Sequence, residues 1–568
     1  MSSSLKKLFE PIKNWYNSSE EHRTALHQWL MIVLYLHILF LPECFALPHY
    51  VNFRNPFHLY RQNLAFLLLL SGLPLLFNRI FGRIIIVFYG FIGLYNVIQF
   101  YAICRFRLKM DGVIFQILEA TNHEEVSEFS HSCIFWYDFI PFTFVVLLTA
   151  LLAWRLRKPT QTCHRIGLIS FVLFLVVAFI PLCKGDWWWF GKRNGLSRFV
   201  SSYFASYTGF SKTIQEAISS PKLPEDIHRC SHENQQDSPS DETVSGNILG
   251  IVVVGESARR KNMECYGYPR PTTPFLTARK DQLLLFDNVL SAATSTFRCC
   301  VYDFTLAQIG SFSKPELSLC DLLLAGGYKV HLYSIQHASG KHESMGLLFQ
   351  HANKKLFLRE MGGATLDMSL LQYVHEVASL PPTEPIMLFL HTMGSHRQAD
   401  KRYPPEYAYF DNNFRDECNN HCEELSAEYI NKYDNSIRYT DAFLEGIIKE
   451  VENQRRPAFV LFFSDHAETL HSKDSNVNFR DANKPETYEI PFVLYLNQAY
   501  IDCYPTFSGN LKKNLHLPFQ ADNTFFAIAS LAQVTFNHFP EEKNIFSPAY
   551  IPSPRYLQES PKCPYPND

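Results

Sequence analysis

The sequence has no excess of positive charge, because 52 Lys and Arg residues stand against 55 Asp and Glu residues. A net charge of -3 gives no indication of nucleic-acid binding. The chain also lacks internal repeats. No small-residue cleavage site follows the first apolar segment, so the N-terminal region does not have the pattern of a cleavable signal peptide. A length of 568 residues exceeds one ordinary domain and predicts several.

Aromatic residues are abundant, at 15% with 48 Phe, and the first 190 or so residues are far more apolar than the rest. We predict about five membrane-spanning helices there, because most of the apolar segments approach the roughly 20 residues that cross a bilayer. A set of core helices from a soluble protein would instead show polar faces. The predicted spans are residues 29–47, 64–77, 84–103, 133–154 and 166–183.

Basic residues predict the orientation of these spans, since cytoplasmic loops are enriched in Lys and Arg. The loop at residues 104–132 also contains basic residues and weakens the rule slightly. An odd number of spans then places everything after residue 183 outside the cytoplasm. The residues expected on the cytoplasmic side are Lys6, Lys7, Lys13, Arg23, Arg79, Arg83, Arg155, Arg157, Lys158 and Arg165.

Three parts follow from the composition: a transmembrane domain at residues 1–183, a connector with a polar linker at 184–247, and a catalytic domain at 248–568. In the third part, strand-like runs alternate with helical ones, which predicts a doubly wound α/β domain. The predicted helices include residues 315–325 and 426–453. The predicted strands are residues 248–254, 283–289, 328–334, 385–391, 457–463 and 490–496.

Two cysteines outside the membrane part, Cys418 and Cys422, are close enough in sequence for a local disulfide bond in an oxidising compartment. A zinc finger would need a second pair of ligands, which is lacking here.

Two apolar runs that end in acidic residues point to a metal site. Residues 251–257 read Ile-Val-Val-Val-Gly-Glu256-Ser, and residues 459–468 end in Ser-Asp465-His466-Ala-Glu468. Buried parallel strands open into the ligand crevice at their carboxyl ends, so Glu256, Asp465 and His466 are expected to meet there. Carboxylates with an imidazole suit a divalent metal such as zinc. The alternative is that each is an ordinary loop residue, which the combination of two such peptides disfavours.

Further polar clusters are less specific. Thr294, Ser295 and Thr296 offer hydroxyl groups that a metal could activate, although a turn or a helix cap would use the same residue types. His391 and His396 flank a glycine after another apolar run and could reach a phosphate or a second metal. A single His there would more often be structural. The residues from Tyr433 to Asp441 begin an amphipathic helix whose polar groups we assign to packing.

These peptides, in this order, resemble the bacterial phosphoethanolamine transferases, membrane enzymes of the alkaline phosphatase/sulfatase superfamily. The matching stretches also include Gly-Tyr-Pro-Arg-Pro-Thr-Thr-Pro at 267–274 and the segment from Asp111 to Asn122. The resemblance spans nearly the whole chain. It implies a transmembrane domain of about five helices in the bacterial inner membrane, followed by a periplasmic catalytic domain with the α/β doubly wound, alkaline phosphatase/sulfatase-like fold.

The resemblance also implies residue roles. Glu256, Asp465 and His466 would hold one tightly bound zinc ion, with Thr296 as fourth ligand and nucleophile and Thr294 as the alternative nucleophile. His396, His391 and Glu468 would bind substrate. Phosphatidylethanolamine would donate phosphoethanolamine to Thr296 and release diacylglycerol, and lipopolysaccharide (lipid A or an inner-core sugar) would accept the group. A second zinc ion is compatible with the family.

Four departures from the family pattern affect the second-metal or acceptor region. Arg397-Gln398 replace Gly-Pro, Ala467 replaces Gly, Ala292 replaces Cys, and His471 is the only nearby candidate for a further family His. Two alternatives therefore remain. One is a phosphoglycerol transferase or phosphodiesterase of the same superfamily, and the other is a degenerate membrane sensor without turnover. A sulfatase is disfavoured, because the Cys-x-Pro-x-Arg peptide for formylglycine is lacking.

Overall fold

The structure is a computed structural model of the full chain. The residues that it describes are 3–46, 70–106, 136–183, 221–230, 247–309, 317–337, 344–361, 366–419, 424–470 and 484–566. These residues form two compact units. We name the one up to Cys183 the N-terminal unit and the one from Pro221 onward the C-terminal unit. The predicted connector and the segment from Asp111 to Asn122 lie largely or wholly outside the described residues.

The N-terminal unit is helical at each of the five predicted positions, including residues 70–76. Two stretches, Arg79–Ile98 and Trp136–Arg155, are long and apolar enough to cross a membrane, and the apolar stretch Gln161–Leu175 is shorter. The total of five spans therefore stays a prediction. The labelled helices are α1 (Ser3–Ser18), α2 (Glu20–Ala46), α3 (Arg79–Phe106), α4 (Phe139–Arg155) and α5 (Gln161–Cys183).

Apolar residues such as Ile32, Leu36 and Ile86 are buried between these helices together with a few hydrogen-bonded polar residues, and other large apolar side chains face outward. Tyr35 Oη lies 2.7 Å from Thr149 Oγ1, and Asn96 Nδ2 donates to the carbonyl oxygen of Leu39 at 3.0 Å. The outward faces of α3 and α4 carry exposed residues such as Phe91 and Leu147, which are 65% and 64% exposed. Exposed apolar side chains outside and paired polar groups inside are what a lipid environment favours, because lipid tails solvate apolar side chains and leave polar groups to pair internally.

A seven-stranded sheet forms the centre of the C-terminal unit. Its order is β2-β7-β6-β1-β5-β3-β4, and six strands run in one direction while β7 runs against them. The strands are β1 (Leu249–Gly255), β2 (Leu283–Phe286), β3 (Lys329–Ser334), β4 (Lys354–Phe357), β5 (Ile386–His391), β6 (Ala458–Ser464) and β7 (Phe492–Leu496).

Helices and loops cover both faces of this sheet, which supports the sulfatase-like α/β fold. Alternate residues of β1 enter different hydrophobic clusters: Val252 and Val254 join one, and Ile251 and Val253 join the other. A strand buried on both faces has no polar positions, which explains its continuous apolar run. The helices are α6 (Pro274–Ala278), α7 (Thr296–Asp303), α8 (Leu319–Ala325), α9 (Ser344–Leu348), α10 (Leu371–Ala378), α11 (Glu424–Glu452), α12 (Gln498–Cys503), α13 (Pro505–Leu511) and α14 (Thr524–Leu531).

The register of the central strands fixes where their ends meet. Gly255 pairs with Ser464 across β1 and β6, so the next residues, Glu256 and Asp465, leave the sheet side by side. On the other side of β1, Val254 pairs with His391 of β5. Three of the predicted strand-end peptides therefore reach one edge of the sheet.

Candidate metal centre

Glu256, Asp465 and His466 converge at the carboxyl end of the central strands. They form a group whose possible ligand atoms all lie within 4.8 Å of one another. All three are fully or almost fully buried. His466 Nε2 lies 3.2 Å from Asp465 Oδ2 and 3.5 Å from Glu256 Oε1. Residues about 200 positions apart in sequence thus present two carboxylates and one imidazole to a common point.

Neighbouring groups fix the orientation of the Asp465 and His466 side chains. The backbone N–H groups of Ser257 and His466 both donate to Asp465 Oδ1, at 3.0 and 2.7 Å, and Oδ2 faces the imidazole. His466 Nδ1 donates to the carbonyl oxygen of Ala467 at 3.2 Å. Because a carbonyl can only accept, Nδ1 carries a proton, and in the neutral ring the lone pair of Nε2 is then directed to the site.

This donor set fits a zinc ion. The tetrahedron around zinc, with bonds of about 2.0–2.1 Å to nitrogen and oxygen, has edges of about 3.3 Å. The two distances from His466 Nε2 to the carboxylate oxygens, 3.2 and 3.5 Å, are close to that edge. Two buried carboxylates so near to each other repel, and a divalent cation between them would offset that repulsion. Carboxylate oxygens and a neutral imidazole nitrogen are also the atom types that zinc accepts.

Thr296 brings a hydroxyl group to this cluster. Its Oγ1 donates to Glu256 Oε2 at 2.8 Å, and the side chain is half-buried. Thr296 is the first residue of α7, with extended Ser295 as the N-cap. The amino end of a helix carries partial positive charge, which stabilises an anionic oxygen at that position. Thr294 lies outside the helix, so of the two predicted nucleophiles Thr296 is the one placed against Glu256.

The turn after β5 is packed directly against the backbone of Glu256. Ser395 N donates to the carbonyl oxygen of Glu256 at 2.8 Å, and Gly394 has a φ of +45°. A Cβ at Gly394 would lie 2.6 Å from the Glu256 carbonyl oxygen, so only glycine fits this approach. Buried Asp367 accepts from the N–H groups of Met393 and Gly394, at 2.8 and 3.0 Å, and so supports the turn from the other side.

The predicted substrate-binding residues lie around this cluster. His391 ends β5 and is buried, and burial lowers its pKa to about 4, although nearby Glu256 acts in the opposite direction. Its Nδ1 is 3.2 Å from Ser334 Oγ. Half-buried His396 follows Ser395 in the same turn. Buried Glu468 has its Oε1 3.4 Å from Ser257 Oγ, which itself lies 2.6 Å from Glu256 Oε1.

Two residues near the centre carry no sequence motif and were not predicted. Gln336 Nε2 donates to the carbonyl oxygen of Thr392 at 2.8 Å and lies 3.4 Å from Glu256 Oε2, so it connects the turn after β5 with the Glu256 carboxylate. Asp303, at the end of α7, is fully buried. Burial raises its pKa well above the usual range, and the carboxylates of Asp465 and Asp522 act in the same direction.

The residues from Tyr433 to Asp441 on α11 hold the surrounding loops. Tyr433 Oη donates to the carbonyl oxygen of Ser257 at 2.6 Å, and Ser436 Oγ lies 2.9 Å from Ser395 Oγ. Asp434 accepts from Arg270 at 2.7 Å in a buried ion pair. These contacts agree with the packing role predicted for this helix, since they fix the two loops that flank Glu256.

Two of the sequence departures have a structural counterpart. Gln398 has a φ of +55°, which proline cannot adopt, so the turn after His396 differs from one built on Gly-Pro. The carbonyl oxygen of Arg397 accepts from the Arg402 guanidinium at 2.8 and 3.1 Å. Ala467 is buried after His466, with its N–H bonded to the carbonyl oxygen of Thr487. His471 and Cys422 lie outside the described residues, so their predicted roles stay predictions.

Comparison with known proteins agrees with this arrangement. The sulfatase family model matches residues 249–517. The phosphoethanolamine transferase EptA of Helicobacter pylori is 26% identical over 421 residues, which cover 72% of this chain and 75% of that protein.

Two solved structures share the fold. The integral membrane protein lipooligosaccharide phosphoethanolamine transferase A (EptA) of Neisseria meningitidis has a TM-score of 0.61 at 19% identity, and the match covers 92% of this chain and 99% of that one. The C-terminal periplasmic domain of EptC of Escherichia coli, solved in complex with Zn, has a TM-score of 0.53 at 21% identity, over 61% of this chain and 96% of that one.

Sequence and fold thus agree. The chain is similar in sequence to phosphoethanolamine transferases, and its residues 249–517 match the sulfatase family model.

Proposed function

We propose that this protein transfers phosphoethanolamine from phosphatidylethanolamine to lipopolysaccharide, at lipid A or an inner-core sugar, with Thr296 as the covalent carrier. We place it in the bacterial inner membrane, with residues 1–183 as the transmembrane domain, residues 184–247 as connector, and residues 248–568 as the periplasmic catalytic domain. The observation that carries the proposal is the 2.8 Å hydrogen bond from Thr296 Oγ1 to Glu256, inside a buried group of two carboxylates and one imidazole.

Glu256, Asp465 and His466 would hold zinc, with Thr296 beside them as fourth ligand. When bound, zinc supplies Lewis acidity, which lowers the pKa of a coordinated hydroxyl group and offsets charge on phosphoryl oxygens. Support for zinc comes from the donor atoms of this chain and from the zinc complex of the related EptC domain.

The chain's own residues then account for the first half-reaction. Glu256 Oε2 accepts the hydrogen bond of the Thr296 hydroxyl group and so fixes the direction of the Oγ1 lone pairs. The bond from Oγ1 to phosphorus forms as the bond from phosphorus to the glycerol oxygen breaks, and diacylglycerol leaves with a proton. The amino end of α7 would stabilise the anionic phosphodiester on Thr296, because the first N–H groups of a helix lack partners within the helix and favour negative charge.

The second half-reaction uses the same phosphorus. An acceptor hydroxyl or phosphate oxygen displaces Thr296 Oγ1, which recovers a proton. We assign His391, His396 and Glu468 to substrate binding. Burial keeps His391 neutral near pH 7, so its ring can donate one hydrogen bond to a phosphoryl oxygen without adding charge.

The test is mass spectrometry of the intact purified protein after incubation with phosphatidylethanolamine. We expect one phosphoethanolamine adduct, located on the peptide that contains Thr296, and release of diacylglycerol that EDTA stops. Thr296→Ala should abolish both, whereas the matched control Thr294→Ala should retain the adduct. Full activity of Thr296→Ala would disprove the proposed nucleophile.

The same measurement separates the alternative functions. A phosphoglycerol adduct from phosphatidylglycerol would favour a phosphoglycerol transferase. Release of free phosphoethanolamine without transfer would favour a phosphodiesterase. A protein with neither an adduct nor bound zinc would favour a degenerate membrane sensor. Mass analysis of lipopolysaccharide from cells with and without the gene then identifies the acceptor. If deletion of the gene removes a phosphoethanolamine group from lipid A or from the core, that part is the acceptor.

A further inference from the structure

The first helix of the chain has an apolar side and a polar side. In sequence, Leu5, Leu8, Phe9, Ile12, Trp15 and Tyr16 recur at spacings of three and four residues, the period of one helix face. The intervening positions include Lys6, Lys7, Glu10, Lys13 and Asn14. Ser3–Ser18 is helical in the structure, as this period requires. Pro11 lies inside the helix and removes one backbone hydrogen bond, so the segment needs an external apolar surface to stay helical.

Among the apolar residues whose side chains the structure describes, α2 covers this side only in part. Ile12 is 53% exposed and Trp15 is 37% exposed. Two contacts nevertheless fix the end of α1 against α2: the Trp15 ring stacks on His22 at 4.4 Å, and Tyr16 Oη lies 3.0 Å from His27 Nε2. The helix therefore has a defined place at the start of α2, while Ile12 and part of Trp15 remain exposed to another surface.

Hydrogen bonds show which other segments share this end of the helical unit. Glu21 Oε1, at the start of α2, accepts from Thr162 N and Oγ1, at 3.1 and 2.8 Å, so α5 begins beside it. Arg79 Nε, at the start of α3, donates to the carbonyl oxygen of Leu156 at 3.2 Å, just after α4. The starts of α2, α3 and α5 and the end of α4 thus lie together.

This end is basic. Arg79, Arg155, Arg157, Lys158 and Arg165 lie in or beside these segments and are exposed, and exposed Lys13 lies in the adjoining α1. The acidic residues there are Glu10, Glu20 and Glu21, of which Glu21 is engaged by Thr162. Positive charge beside an amphipathic helix, at one end of apolar helices with outward-facing Phe and Leu residues, matches the boundary between a bilayer core and anionic headgroups.

We propose that α1 is a membrane-surface helix that inserts Ile12 and Trp15 into the headgroup region and, with the basic end of the helical unit, binds anionic phospholipids. Burial of the apolar side provides affinity for any bilayer, and the lysines add selectivity for negative charge. Each lysine near an anionic surface strengthens binding about fivefold, and salt screens this contribution. The inference uses the membrane location proposed above, but it does not depend on the transferase chemistry.

The test is hydrogen–deuterium exchange of the full-length protein in lipid nanodiscs, read on the peptide that covers residues 3–18. Nanodiscs of phosphatidylcholine alone are compared with nanodiscs that also contain phosphatidylglycerol. We expect slower exchange in both than in detergent, with a further decrease when phosphatidylglycerol is present. That further decrease should disappear at high salt and in the triple variant K6Q/K7Q/K13Q.

A matched pair of variants tests the apolar side. Trp15→Ser should speed up exchange of the segment in both kinds of nanodisc, whereas Asn14→Ser, the neighbouring residue on the polar side, should not. Exchange of peptides from the sheet of the C-terminal unit serves as the folding control. Equal exchange in detergent and in both nanodiscs, unchanged by Trp15→Ser, would overturn the proposal. Equal exchange in the two kinds of nanodisc at low salt would also overturn it, because it would show no preference for anionic phospholipid.

Discussion

Gly394→Ala tests whether the turn after β5 positions the metal centre. The added Cβ would lie 2.6 Å from the carbonyl oxygen and 2.9 Å from the nitrogen of Glu256, closer than real Cβ atoms approach backbone. Since both contacts are to backbone, no side-chain rotation relieves them. The turn or the Glu256 backbone must move.

Two contributions set the size of the effect. An L-residue at a φ of +45° costs about 1–2 kcal/mol relative to glycine. Movement of the turn also breaks the buried hydrogen bond from Ser395 N to the Glu256 carbonyl oxygen, which costs about 1–3 kcal/mol more. We therefore expect a loss of about 2–5 kcal/mol in the stability of the C-terminal unit. Because Glu256 is displaced, zinc affinity should also fall by about 10–100-fold.

Two other glycines provide matched controls. Gly267 has a φ of +99° but open space around its Cβ position, so Gly267→Ala isolates the backbone strain. Gly509 in α13 has open space and no positive φ, so alanine there should be neutral or stabilising. The assays are thermal unfolding of the purified protein and competition for zinc with a fluorescent chelator. Zinc affinity of Gly394→Ala equal to that of Gly267→Ala would refute the positioning argument.

Three further predictions follow from side-chain contacts in the C-terminal unit. Gln336→Ala should lower zinc affinity about tenfold or more, because Gln336 orients Glu256, and unchanged affinity in the competition assay would show that it does not. Arg270→Ala should lower the free energy of unfolding by about 3–5 kcal/mol, because it leaves Asp434 buried without its cation. The control Arg279→Ala removes the more exposed ion pair with Glu452 and should lower the free energy of unfolding by less than about 1 kcal/mol. The pKa of His391 is about 4 in the folded protein and about 6.5 in the unfolded chain, so the unfolded chain binds the proton more readily. The free energy of unfolding should therefore fall by up to about 3 kcal/mol as the pH drops from 6.5 to 4. In denaturant titrations, His391→Asn should lose this part of the pH dependence.

The convergence of Glu256, Asp465 and His466 could be predicted from the sequence because these residues follow the strands without a gap. Glu256 comes one residue after the last paired residue of β1, and Asp465 one residue after that of β6. Once two apolar runs are assigned to neighbouring parallel strands, the positions of these side chains follow from the sheet geometry. No long loop separates these side chains from their strands.

Residues that act on the ligands from other segments could not be predicted in the same way. Asp367 contacts Met393 and Gly394 from a different part of the chain, and Gln336 lies two residues after β3. Neither residue stands at a recognisable spacing in the sequence, because each contacts the turn after β5 only once separate loops have packed together. The sequence alone likewise leaves Thr294 and Thr296 open, because which hydroxyl group lies beside Glu256 depends on where α7 begins.

Some strands of the fold could likewise be predicted from the sequence and others could not. The predicted strands at 248–254, 385–391 and 457–463 agree with the observed ones within one residue, because burial on both faces makes a continuous apolar signal. The strand predicted at 283–289 is instead split into Leu283–Phe286 and Val289–Leu290. Strand β4 was missed, since Lys354–Phe357 is a short, partly exposed edge strand that begins with two lysines. The composition of β7 does not show that it runs antiparallel to its neighbours, because strand direction depends on the path of the connecting chain.

The zinc content of purified variants tests the central claim most directly. Wild type and Glu468→Gln, which removes a neighbouring charge outside the ligand group, should retain tightly bound zinc after dialysis against EDTA-free buffer. Glu256→Gln and Asp465→Asn should lose it. If Glu256→Gln and Asp465→Asn bind zinc as tightly as the wild type does, while all four proteins are folded, the metal centre described here is wrong.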